Sequence, residues 1–455
     1  MVARGLPGFL ESRAERDTPV PTFVVDALRG YLDCGILERG FCRLACETCR
    51  EEQVVAFSCK DRGFCPSCMG RRMSDTAAHL VDRVLPDVPV RQWVLSLPPA
   101  VRILCAFKPE ALSLTVRVFI RTLFAFHRRR ARRAGLPDRG GRCGAVTVIQ
   151  RYGSACELNL HLHSIVLDGV YVDEPSGRPG FRPLPPPTAK ELIGLTRGVA
   201  RRVQRALRRQ GLMSERVLED AAADQPELAG LVAESLSFPR NRVVDQARAR
   251  PASDAAWLGA FDGFNLHAGV ALTALDREGR ERLCRYLLRP PISDERLTLR
   301  DDGRVELALK TAWRDGTVAL ILTPEQLVAR LAALIPRPEK NLVRYHGVFA
   351  PNAEARAEIV PAAPEADDES PDGAEPAQKK PKPHTGRYLV WAALLKRVFE
   401  VDILECPRCG GRLRLVCAVV DGLSARRYLA GTSPAEPVPA AQPPPQEASP
   451  SVTRA

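Results

Sequence analysis

Four cysteines near the N-terminus combine the residue type and the spacing of a metal site. Cys46 and Cys49 form one Cys-x-x-Cys pair, and Cys65 and Cys68 form a second pair after an interval of fifteen residues. Each pair can direct two thiolates towards one ion, and two pairs complete the tetrahedral shell that Zn²⁺ prefers. Because four thiolates leave no open coordination position, we predict a structural zinc site.

The ligand set of this site has alternatives, and the sequence contains a further half-site. Cys42 and Cys59 lie beside or inside the cluster, and either could replace one of the four predicted ligands. Cys406 and Cys409 form a third Cys-x-x-Cys pair that resembles half of a zinc ribbon, with Cys417 as the nearby third thiol. A half-site cannot close a tetrahedron alone, so we interpret it either as a remnant or as a pair completed by distant ligands.

Two histidines alternate with leucines in the β-rich segment ELNLHLHSIVLDGVYV. Successive side chains of a strand point to opposite faces, so His161 and His163 share one face while Leu160 and Leu162 occupy the other. Two imidazoles at this spacing can chelate one cation. Paired histidines on a half-exposed strand are also common as ordinary surface residues, so the interpretation depends on a reactive partner elsewhere in the chain.

The segment ERLCRYLLRPPIS supplies a candidate reactive partner. Pro290 and Pro291 stop its predicted helix, which places Tyr286 in the last turn. Arg282 and Arg289 stand four residues before and three residues after the tyrosine, on the same face of the helix. A phenol between two guanidiniums suits nucleophilic attack on a phosphodiester, because the arginines can hold the phosphate and favour the phenolate. The alternative is a tyrosine at a helix end with solvated arginines.

The charge and composition of the 455-residue chain favour a nucleic-acid partner. The formal net charge is +12 and the sequence pI is about 9.2, although a basic soluble enzyme would have the same signature. No apolar run approaches the about 18 residues that span a bilayer, and the N-terminal stretch lacks the apolar core of a signal peptide. We therefore expect a cytoplasmic, nucleoid-associated protein without membrane contact, whose reduced thiols serve metal binding.

Two groups of arginines are candidate DNA contacts. The first group lies around the second Cys-x-x-Cys pair, and the second lies near the end of a predicted helix, where such a run could also be a solvated helix end. The predicted DNA-binding residues are Arg62, Arg71, Arg72, Arg128, Arg129 and Arg130.

The elements that must position these residues follow from periodicity and from proline and glycine punctuation. Helices are predicted at 109–134, 188–211, 277–289 and 323–335. Strands are predicted at 91–98, 144–153, 157–172, 265–275, 295–310 and 316–322. The predicted parts are a zinc-binding DNA-binding domain at 1–85, a catalytic domain at 86–358, a disordered linker at 359–386, a small C-terminal module at 387–430 and a disordered tail at 431–455.

Several stretches together resemble the transposases of the IS91 family and their common-region (ISCR) relatives, which are HUH-type rolling-circle enzymes. These stretches are VAFSCKDRGFCPSC, RQWVLSLP, IQRYGSACELNLHLHSIVLDGVYV, FNLHAGVAL, RYLLRPPIS and NLVRYHGVFAP. They cover about residues 30–358, and the likeness continues into CPRCGGRLRL. The resemblance implies an α+β fold, in which an N-terminal zinc-binding module precedes an HUH-type antiparallel sheet with helices on one face, followed by a small C-terminal module.

The resemblance also implies a metal-dependent enzyme that nicks and rejoins single-stranded DNA. His161 and His163 fall on the histidine–hydrophobe–histidine motif of the family, and Tyr286 falls on a catalytic tyrosine that forms a 5′-phosphotyrosine. Many members carry a second tyrosine four residues away. Arg282 occupies that position here, so the chain resembles the single-tyrosine, ISCR-like branch.

The third ligand of the catalytic Mg²⁺ or Mn²⁺ and the cellular role stay open. Gln150, on a neighbouring predicted strand, is the first candidate ligand, and His267 is the second. The expected partner is single-stranded DNA at the ends of an insertion sequence, and the chain could also associate with itself. Two alternatives fit the same residues: a rolling-circle replication initiator acting at a replicon's origin, and a catalytically inactive zinc-dependent DNA-binding protein.

Overall fold

A computed structural model describes most of the chain. The described residues are 1–60, 63–136, 141–175, 177–213, 219, 223, 225–237, 241–248, 257–338, 340–361 and 404–431. Most of the predicted linker, the first part of the predicted C-terminal module, the predicted tail beyond residue 431 and Arg62 lie outside the described residues. Among the described residues, no helix is long and apolar enough to cross a membrane.

The predicted helices are confirmed to within two residues at each end. Capping explains two of the boundaries. Thr188 and Glu191 form a capping box where the helix Ala189–Arg209 begins, and the Asp276 carboxylate accepts a hydrogen bond from Gly279 N where the helix Arg277–Leu288 begins. Short 3₁₀ turns occupy Leu37–Arg39, Gln246–Arg248 and Asp294–Arg296. The helices are α1 (Val2–Glu15), α2 (Thr22–Leu32), α3 (Pro66–Arg83), α4 (Pro99–Phe107), α5 (Pro109–Arg133), α6 (Ala189–Arg209), α7 (Pro226–Leu236), α8 (Arg277–Leu288), α9 (Pro324–Leu334), α10 (Arg356–Ile359) and α11 (Gly422–Gly431).

The strands include every predicted one, but two of the predicted strands are divided. The strand predicted at 157–172 breaks at Asp168, whose carboxylate lies 2.7 Å from the buried guanidinium of Arg91. The strand predicted at 295–310 turns back at Gly303, where φ is +78°. The strands are β1 (Phe41–Cys46), β2 (Glu52–Ala56), β3 (Val90–Ser96), β4 (Gly144–Tyr152), β5 (Leu158–Leu167), β6 (Gly169–Asp173), β7 (Pro179–Pro183), β8 (Arg242–Val244), β9 (Leu258–Phe261), β10 (Phe264–Leu272), β11 (Leu297–Leu299), β12 (Val305–Ala308), β13 (Thr317–Leu322), β14 (Val343–Gly347) and β15 (Leu413–Val419).

The central sheet is a six-stranded antiparallel sheet in the order β14-β4-β5-β3-β10-β9. The strand that carries the paired histidines, β5, has a neighbour on each side. Its residue His161 lies opposite Gln150 of β4 and Ser96 of β3. Residues directly opposite on neighbouring strands project from the same face, so the register places a polar row across the sheet at His161.

Helices cover both faces of the central sheet. On one face, α5 and α6 pack on side chains that include Trp93 and Leu162. On the other face, α3 and α8 pack on side chains that include Val148 and Ile165. The α+β class with antiparallel sheets is confirmed, but helices lie on two faces rather than one. The reason is that β4 and β5 bury consecutive residues, and therefore both of their faces.

The first helix, α1, packs against residues that are distant from it in the sequence. Side chains of α1 such as Leu6 and Phe9 share a core with Leu327 of α9. Gly5 permits this contact, because a Cβ atom there would lie 2.3 Å from the carbonyl carbon of Pro324. The same core includes residues of the four-stranded sheet β11-β12-β13-β8, so the N-terminal helix and that sheet support one another.

A small antiparallel sheet, in the order β15-β1-β2, joins a strand of the C-terminal segment to two strands of the N-terminal region. The pairing of β1 with β15 runs from Phe41 opposite Val419 to Cys46 opposite Leu413. Residues 404–431 therefore pack on the N-terminal region and do not stand apart from it. The boundaries of the five parts stay a prediction.

Candidate active site and metal centres

Eight of the described cysteines form two clusters of four, and the first is termed the N-terminal cluster. It contains Cys34, Cys59, Cys65 and Cys68. The Sγ atoms of Cys34 and Cys68 lie 3.7 Å apart, and those of Cys59 and Cys68 lie 3.4 Å apart. A tetrahedron with Zn–S bonds of about 2.3 Å separates its sulfurs by about 3.8 Å, so this donor set fits Zn²⁺.

The second group, termed the two-ended cluster, contains Cys46 and Cys49 from the N-terminal region and Cys406 and Cys409 from the C-terminal segment. The Sγ atoms lie 3.5 Å apart between Cys46 and Cys409 and 3.6 Å apart between Cys49 and Cys406. The backbone N–H groups of Cys49 and Thr48 lower the pKa of the Cys46 thiol to about 6, which favours the metal-binding thiolate. No disulfide links the cysteines of either cluster.

The predicted zinc set of Cys46, Cys49, Cys65 and Cys68 is therefore corrected, because the structure divides it between two clusters. The pairing of β15 with β1 brings the C-terminal Cys-x-x-Cys pair to the first N-terminal pair. The second N-terminal pair faces the end of α2 instead. Two neighbouring Cys-x-x-Cys pairs in the sequence thus complete their shells with different partners.

The other cysteines considered from the sequence have different positions. Cys59, the predicted alternative, is a member of the N-terminal cluster, whereas Cys42 and Cys417 lie on paired strands outside both clusters. Cys34 was missed because it is a single thiol with no Cys-x-x-Cys spacing. The C-terminal half-site had a sequence signal, and its partner pair is the distant Cys46 and Cys49.

The paired histidines lie side by side on the face of the sheet that α8 covers. The ring centroids of His161 and His163 are 4.8 Å apart. His161 Nδ1 lies 2.7 Å from the carbonyl oxygen of Asn159, so Nδ1–H donates to that oxygen and Nε2 keeps its lone pair. His163 Nδ1 lies 2.9 Å from the side-chain amide of Gln92, which fixes the orientation of the ring. Gln92 was missed from the sequence, where it is an ordinary polar residue of a strand.

Burial keeps both imidazoles neutral. It lowers the pKa of His161 to about 4, partly opposed by the hydrogen bond to Asn159 and assisted by Arg289. Burial also lowers the pKa of His163 well below its ordinary value, and the neighbouring His161 and Arg289 act in the same direction. His163 Nε2 is buried and makes no hydrogen bond. His163 Nε2 fits a metal ligand in the tautomer in which Nδ1–H donates to the Gln92 amide oxygen, because Nε2 then keeps a lone pair that a cation would satisfy.

Gln150, the first candidate for the third ligand, lies directly opposite His161. Its amide nitrogen donates to the carbonyl oxygen of Leu287 at 3.3 Å and to the Tyr152 hydroxyl at 3.0 Å. The amide oxygen is the atom left to face a cation. His267, the second candidate, lies on β10, two strands from β5, a separation of about 10 Å.

No further acidic, cysteine or histidine ligand joins the histidine pair among the described residues, where only the two cysteine clusters unite three or more such groups. A cation held here would therefore have few protein ligands and open positions. Open positions are the arrangement that catalytic metal sites require, because substrate oxygen must reach the ion.

Tyr286 lies in the last turn of α8, close to the histidines. The rings of Tyr286 and His163 are 6.3 Å apart between centroids, and 42% of the tyrosine surface is exposed. The guanidinium of Arg289 lies over the phenol ring, 3.9 Å from its centroid. Arg282 instead pairs with Glu278 at 3.5 Å. The structure thus brings one of the two predicted arginines onto the tyrosine.

Tyr152 anchors the chain at this helix end and had no recognised sequence signal. Its hydroxyl donates to the carbonyl oxygen of Arg289 and accepts from Gln150. Burial raises the pKa of Tyr152, so the phenol stays protonated and available as a donor. The pairing of β4 with β5 is irregular between Gln150 and Tyr152, a local distortion of the kind that redirects side chains beside active sites.

A basic cleft opens beside the site. Its volume is about 790 Å³, and its walls include Gln150 and Arg289. Further guanidiniums from Arg72, Arg337 and Arg344 line it, contributed by α3, by the segment after α9 and by β14. Such a concentration of arginines suits the phosphates of a single strand.

The arginines predicted to contact DNA have different surroundings. Arg72 is half-buried at the cleft. Arg130 is only 7% exposed, donates to the carbonyl oxygen of Pro186 at 3.1 Å and pairs with Glu191 at 3.3 Å. Its guanidinium is engaged within the fold, which corrects the expectation that Arg130 is a surface contact. The remaining described arginines of the set are exposed: Arg71, Arg128 and Arg129.

Two family models match the chain. Residues 144–357 match the family described as "Putative transposase", and residues 7–97 match the "Transposase zinc-binding domain" of the IS91 type. The two ranges together span about two thirds of the chain. Comparison with curated proteins and with solved structures gives no match.

The matched ranges coincide with the two sites. The first contains the histidine pair and Tyr286, and the second contains the whole N-terminal cluster. Both families are transposases, so the chain is a DNA-processing transposase that carries a zinc-binding domain. Both matches confirm the resemblance to IS91-family transposases noted in the sequence.

Proposed function

We propose that this transposase nicks and rejoins single-stranded DNA through a covalent 5′-phosphotyrosine on Tyr286, in rolling-circle-type transposition of an insertion sequence. The observation that carries the proposal is the position of an exposed tyrosine beside two neutral imidazoles, of which His163 is buried and His161 is half-buried. The rings of Tyr286 and His163 are 6.3 Å apart, and those of His163 and His161 are 4.8 Å apart. A nucleophile beside a metal-ligating pair is what phosphodiester transfer requires.

The protein ligands of the catalytic ion are His161, His163 and Gln150. When bound, Mg²⁺ or Mn²⁺ polarises the scissile phosphate and neutralises the charge that builds on its oxygens. The preference for these ions over zinc comes from the family resemblance, since imidazoles alone would also suit zinc. An amide oxygen and phosphate oxygens complete a harder ligand set than two imidazoles provide.

Tyr286 acts as the nucleophile. Its Oη atom forms a bond to phosphorus, the bond from phosphorus to the 3′ oxygen breaks, and the phenol proton ends on the released 3′-hydroxyl. Arg289 lies over the phenol and can hold a phosphate oxygen as the bond changes. The reverse step uses a 3′-hydroxyl to displace the tyrosine, so the strand is rejoined without a nucleotide cofactor.

The rest of the site suits a single strand. The basic cleft leads to Gln150 and Arg289 and offers guanidiniums to successive phosphates. The N-terminal cluster is a closed four-thiolate shell, which gives zinc a structural role. The exposed Arg71 and the cleft residue Arg72 both lie on α3, directly after that cluster, and are proposed to contact DNA.

A denaturing gel tests the proposed reaction. Labelled single-stranded DNA from an element end is incubated with the protein and Mg²⁺ or Mn²⁺, and a band shifted by the mass of the protein is expected. Tyr286→Phe removes the nucleophilic oxygen and is expected to abolish the band while DNA binding persists. Tyr171→Phe, which changes a buried tyrosine of β6, is the matched control and should leave the band unchanged.

The outcomes separate the proposed function from its alternatives. An undiminished band in Tyr286→Phe would contradict the assignment of the nucleophile. The absence of a band from the unaltered protein with either metal would support an inactive DNA-binding protein. A band formed on a replication origin but on no element end would support a replication initiator.

A further inference from the structure

We propose that the two-ended cluster binds a second zinc ion, and that this ion fastens residues 404–431 onto the N-terminal region. Its four thiols lie close enough for one tetrahedral shell. Two of them, Cys406 and Cys409, lie outside the range 7–97 that matches the zinc-binding family. The site therefore differs from the N-terminal cluster, whose four cysteines all lie inside that range.

The first half of the site is a tight turn after β1. Arg50 N donates to the carbonyl oxygen of Cys46 at 3.0 Å, and Cys46 N donates to the carbonyl oxygen of Glu51 at 2.8 Å. Arg50, which directly follows Cys49, has a φ of +59°. The left-handed conformation costs energy for any residue other than glycine. Contacts around the turn must therefore hold Arg50 in it.

The second half repeats the same turn near the C-terminus. Gly410 N donates to the carbonyl oxygen of Cys406 at 2.8 Å, and Cys406 N donates to the carbonyl oxygen of Gly411 at 2.7 Å. Gly410, which directly follows Cys409, has a φ of +70°. The hydrogen bonds and the left-handed residue match in the two turns, so both Cys-x-x-Cys pairs adopt the same local structure. In each turn the two thiols face the shared cluster.

The two turns approach each other closely. A Cβ atom on Gly411 would lie 2.7 Å from Thr48 Oγ1 and 3.1 Å from Cys46 Sγ. Gly411 N also donates to Cys409 Sγ at 3.4 Å. Only glycine permits this approach without a shift, so the sequence CPRCGG contains the residue that the joined site needs.

Apart from the pairing of β15 with β1, only a small core and surface contacts hold the described C-terminal segment in place. The core between the two ends consists of Leu44, Cys46, Cys406 and Leu413, with two half-buried neighbours. Side chains further along β15 point to solvent, and Leu415 is 64% exposed. A sheet with so small a core is marginal in water, and small structural units of this kind commonly rely on a metal.

Polar and aromatic contacts add only modest support. Arg408 pairs with Glu51 at 3.0 Å on the surface, where ion pairs contribute little. On α11, the Tyr428 hydroxyl donates to Glu52 at 2.8 Å, and its ring lies 5.3 Å from that of Phe41. An ion that joins Cys49 to Cys406, which are 357 positions apart, would couple the folding of both ends.

Metal content per chain, measured by elemental analysis of the full-length protein reconstituted with zinc, tests the proposal. All variants carry His161→Ala/His163→Ala, so that zinc cannot occupy the histidine pair, and the chain with no further change is expected to hold two ions. Addition of Cys406→Ser/Cys409→Ser or of Cys46→Ser/Cys49→Ser should leave one. Addition of Cys417→Ser, which removes an exposed thiol of the same C-terminal segment, should keep two. One ion in the background chain, or two after either double cysteine change, would overturn the proposal.

Limited proteolysis tests the fastening itself. The double variant Cys406→Ser/Cys409→Ser is expected to be cleaved within 404–431 at least about tenfold faster than the unaltered chain, because the open form becomes populated. The ion left in the N-terminal cluster shows that the variant is folded. Wild-type resistance in a variant that has lost one ion would contradict the fastening.

A second variant keeps every thiol and covers the case in which the double variant does not fold. Gly411→Val places a side chain against Thr48 and Cys46, so one of the two ions should pass to a chelator at least about tenfold faster than in the unaltered chain. Release of both ions at the wild-type rate would overturn the proposed site.

Discussion

The cysteine clusters and the histidine face of the central sheet are suited to metals in different ways. The N-terminal cluster offers four sulfurs that fill a tetrahedron. The histidine face offers two imidazoles and an amide oxygen from Gln150, beside a tyrosine that is 42% exposed. A filled shell can only hold structure together, whereas an incomplete shell leaves positions at which substrate can bind.

The two regions also differ in how the chain assembles them. His161 and His163 are two positions apart on one strand, so local geometry alone sets them side by side. Each cysteine cluster collects residues from separate elements, and the two-ended cluster joins residues up to 363 positions apart. The reactive face therefore depends on one sheet, while the cysteine clusters depend on how distant segments pack.

The largest expected effect is on catalysis, after removal of the imidazoles. His161→Ala combined with His163→Ala should lower the nicking rate by roughly 10³-fold or more, because charge on the phosphate is no longer neutralised. Zinc content should not change. His267→Ala is the control and should stay within about threefold, since this residue lies two strands away. Nicking at the normal rate in the double variant would contradict a catalytic role for the histidine face.

The next effect is on stability, after loss of the N-terminal cluster. Cys65→Ser combined with Cys68→Ser removes a closed shell, and a loss of several kcal/mol should lower the Tm by about 10 °C or more. Thermal unfolding of this variant is compared with that of Cys42→Ser, which alters a thiol outside both clusters. An unchanged Tm, together with lost nicking, would mean that this cluster acts in catalysis.

A smaller effect is expected on metal affinity, after substitution of Gln150. Gln150→Ala should raise the Mn²⁺ concentration for half-maximal nicking by about 10- to 100-fold, because one ligand is lost. Gln150→Glu offers a carboxylate oxygen at the same position and should restore much of the affinity. Equal Mn²⁺ requirements in the alanine variant and the unaltered chain would remove Gln150 from the site.

The smallest effect separates the two arginines that flank Tyr286. Arg289→Ala should lower the nicking rate by about tenfold, because its guanidinium lies 3.9 Å from the phenol centroid. Arg282→Ala should change the rate by less than about twofold, because Arg282 pairs with Glu278 on the surface. Rate measurements at saturating Mn²⁺ test both, and equal losses would restore the symmetric site predicted from the sequence.

The positions of the two histidines on one face and of Tyr286 at a helix end could be predicted from the sequence, because each depends on local geometry. Alternation along a strand placed His161 and His163 on one face, and the prolines after α8 placed Tyr286 in its last turn. The register of β4 against β5 could not be predicted from either strand alone. The sequence therefore offered Gln150 only as a candidate ligand, without showing that it lies opposite His161.

The cysteine grouping could not be predicted because it depends on long-range packing. Spacing alone favoured Cys46, Cys49, Cys65 and Cys68 as one set. It could not show that β15 would pair with β1, nor that the single thiol Cys34 would reach the start of α3. The second helical layer on the sheet was missed for a related reason, since burial on both faces depends on which helices pack there.

The identity of the DNA-linked residue tests the central claim most directly. The covalent complex is formed on single-stranded element-end DNA with Mn²⁺, digested, and mapped by mass spectrometry. The account predicts that the nucleotide is attached through its 5′ phosphate to the peptide that contains Tyr286. Attachment to Tyr152, or to any residue other than Tyr286, would contradict the proposed active site.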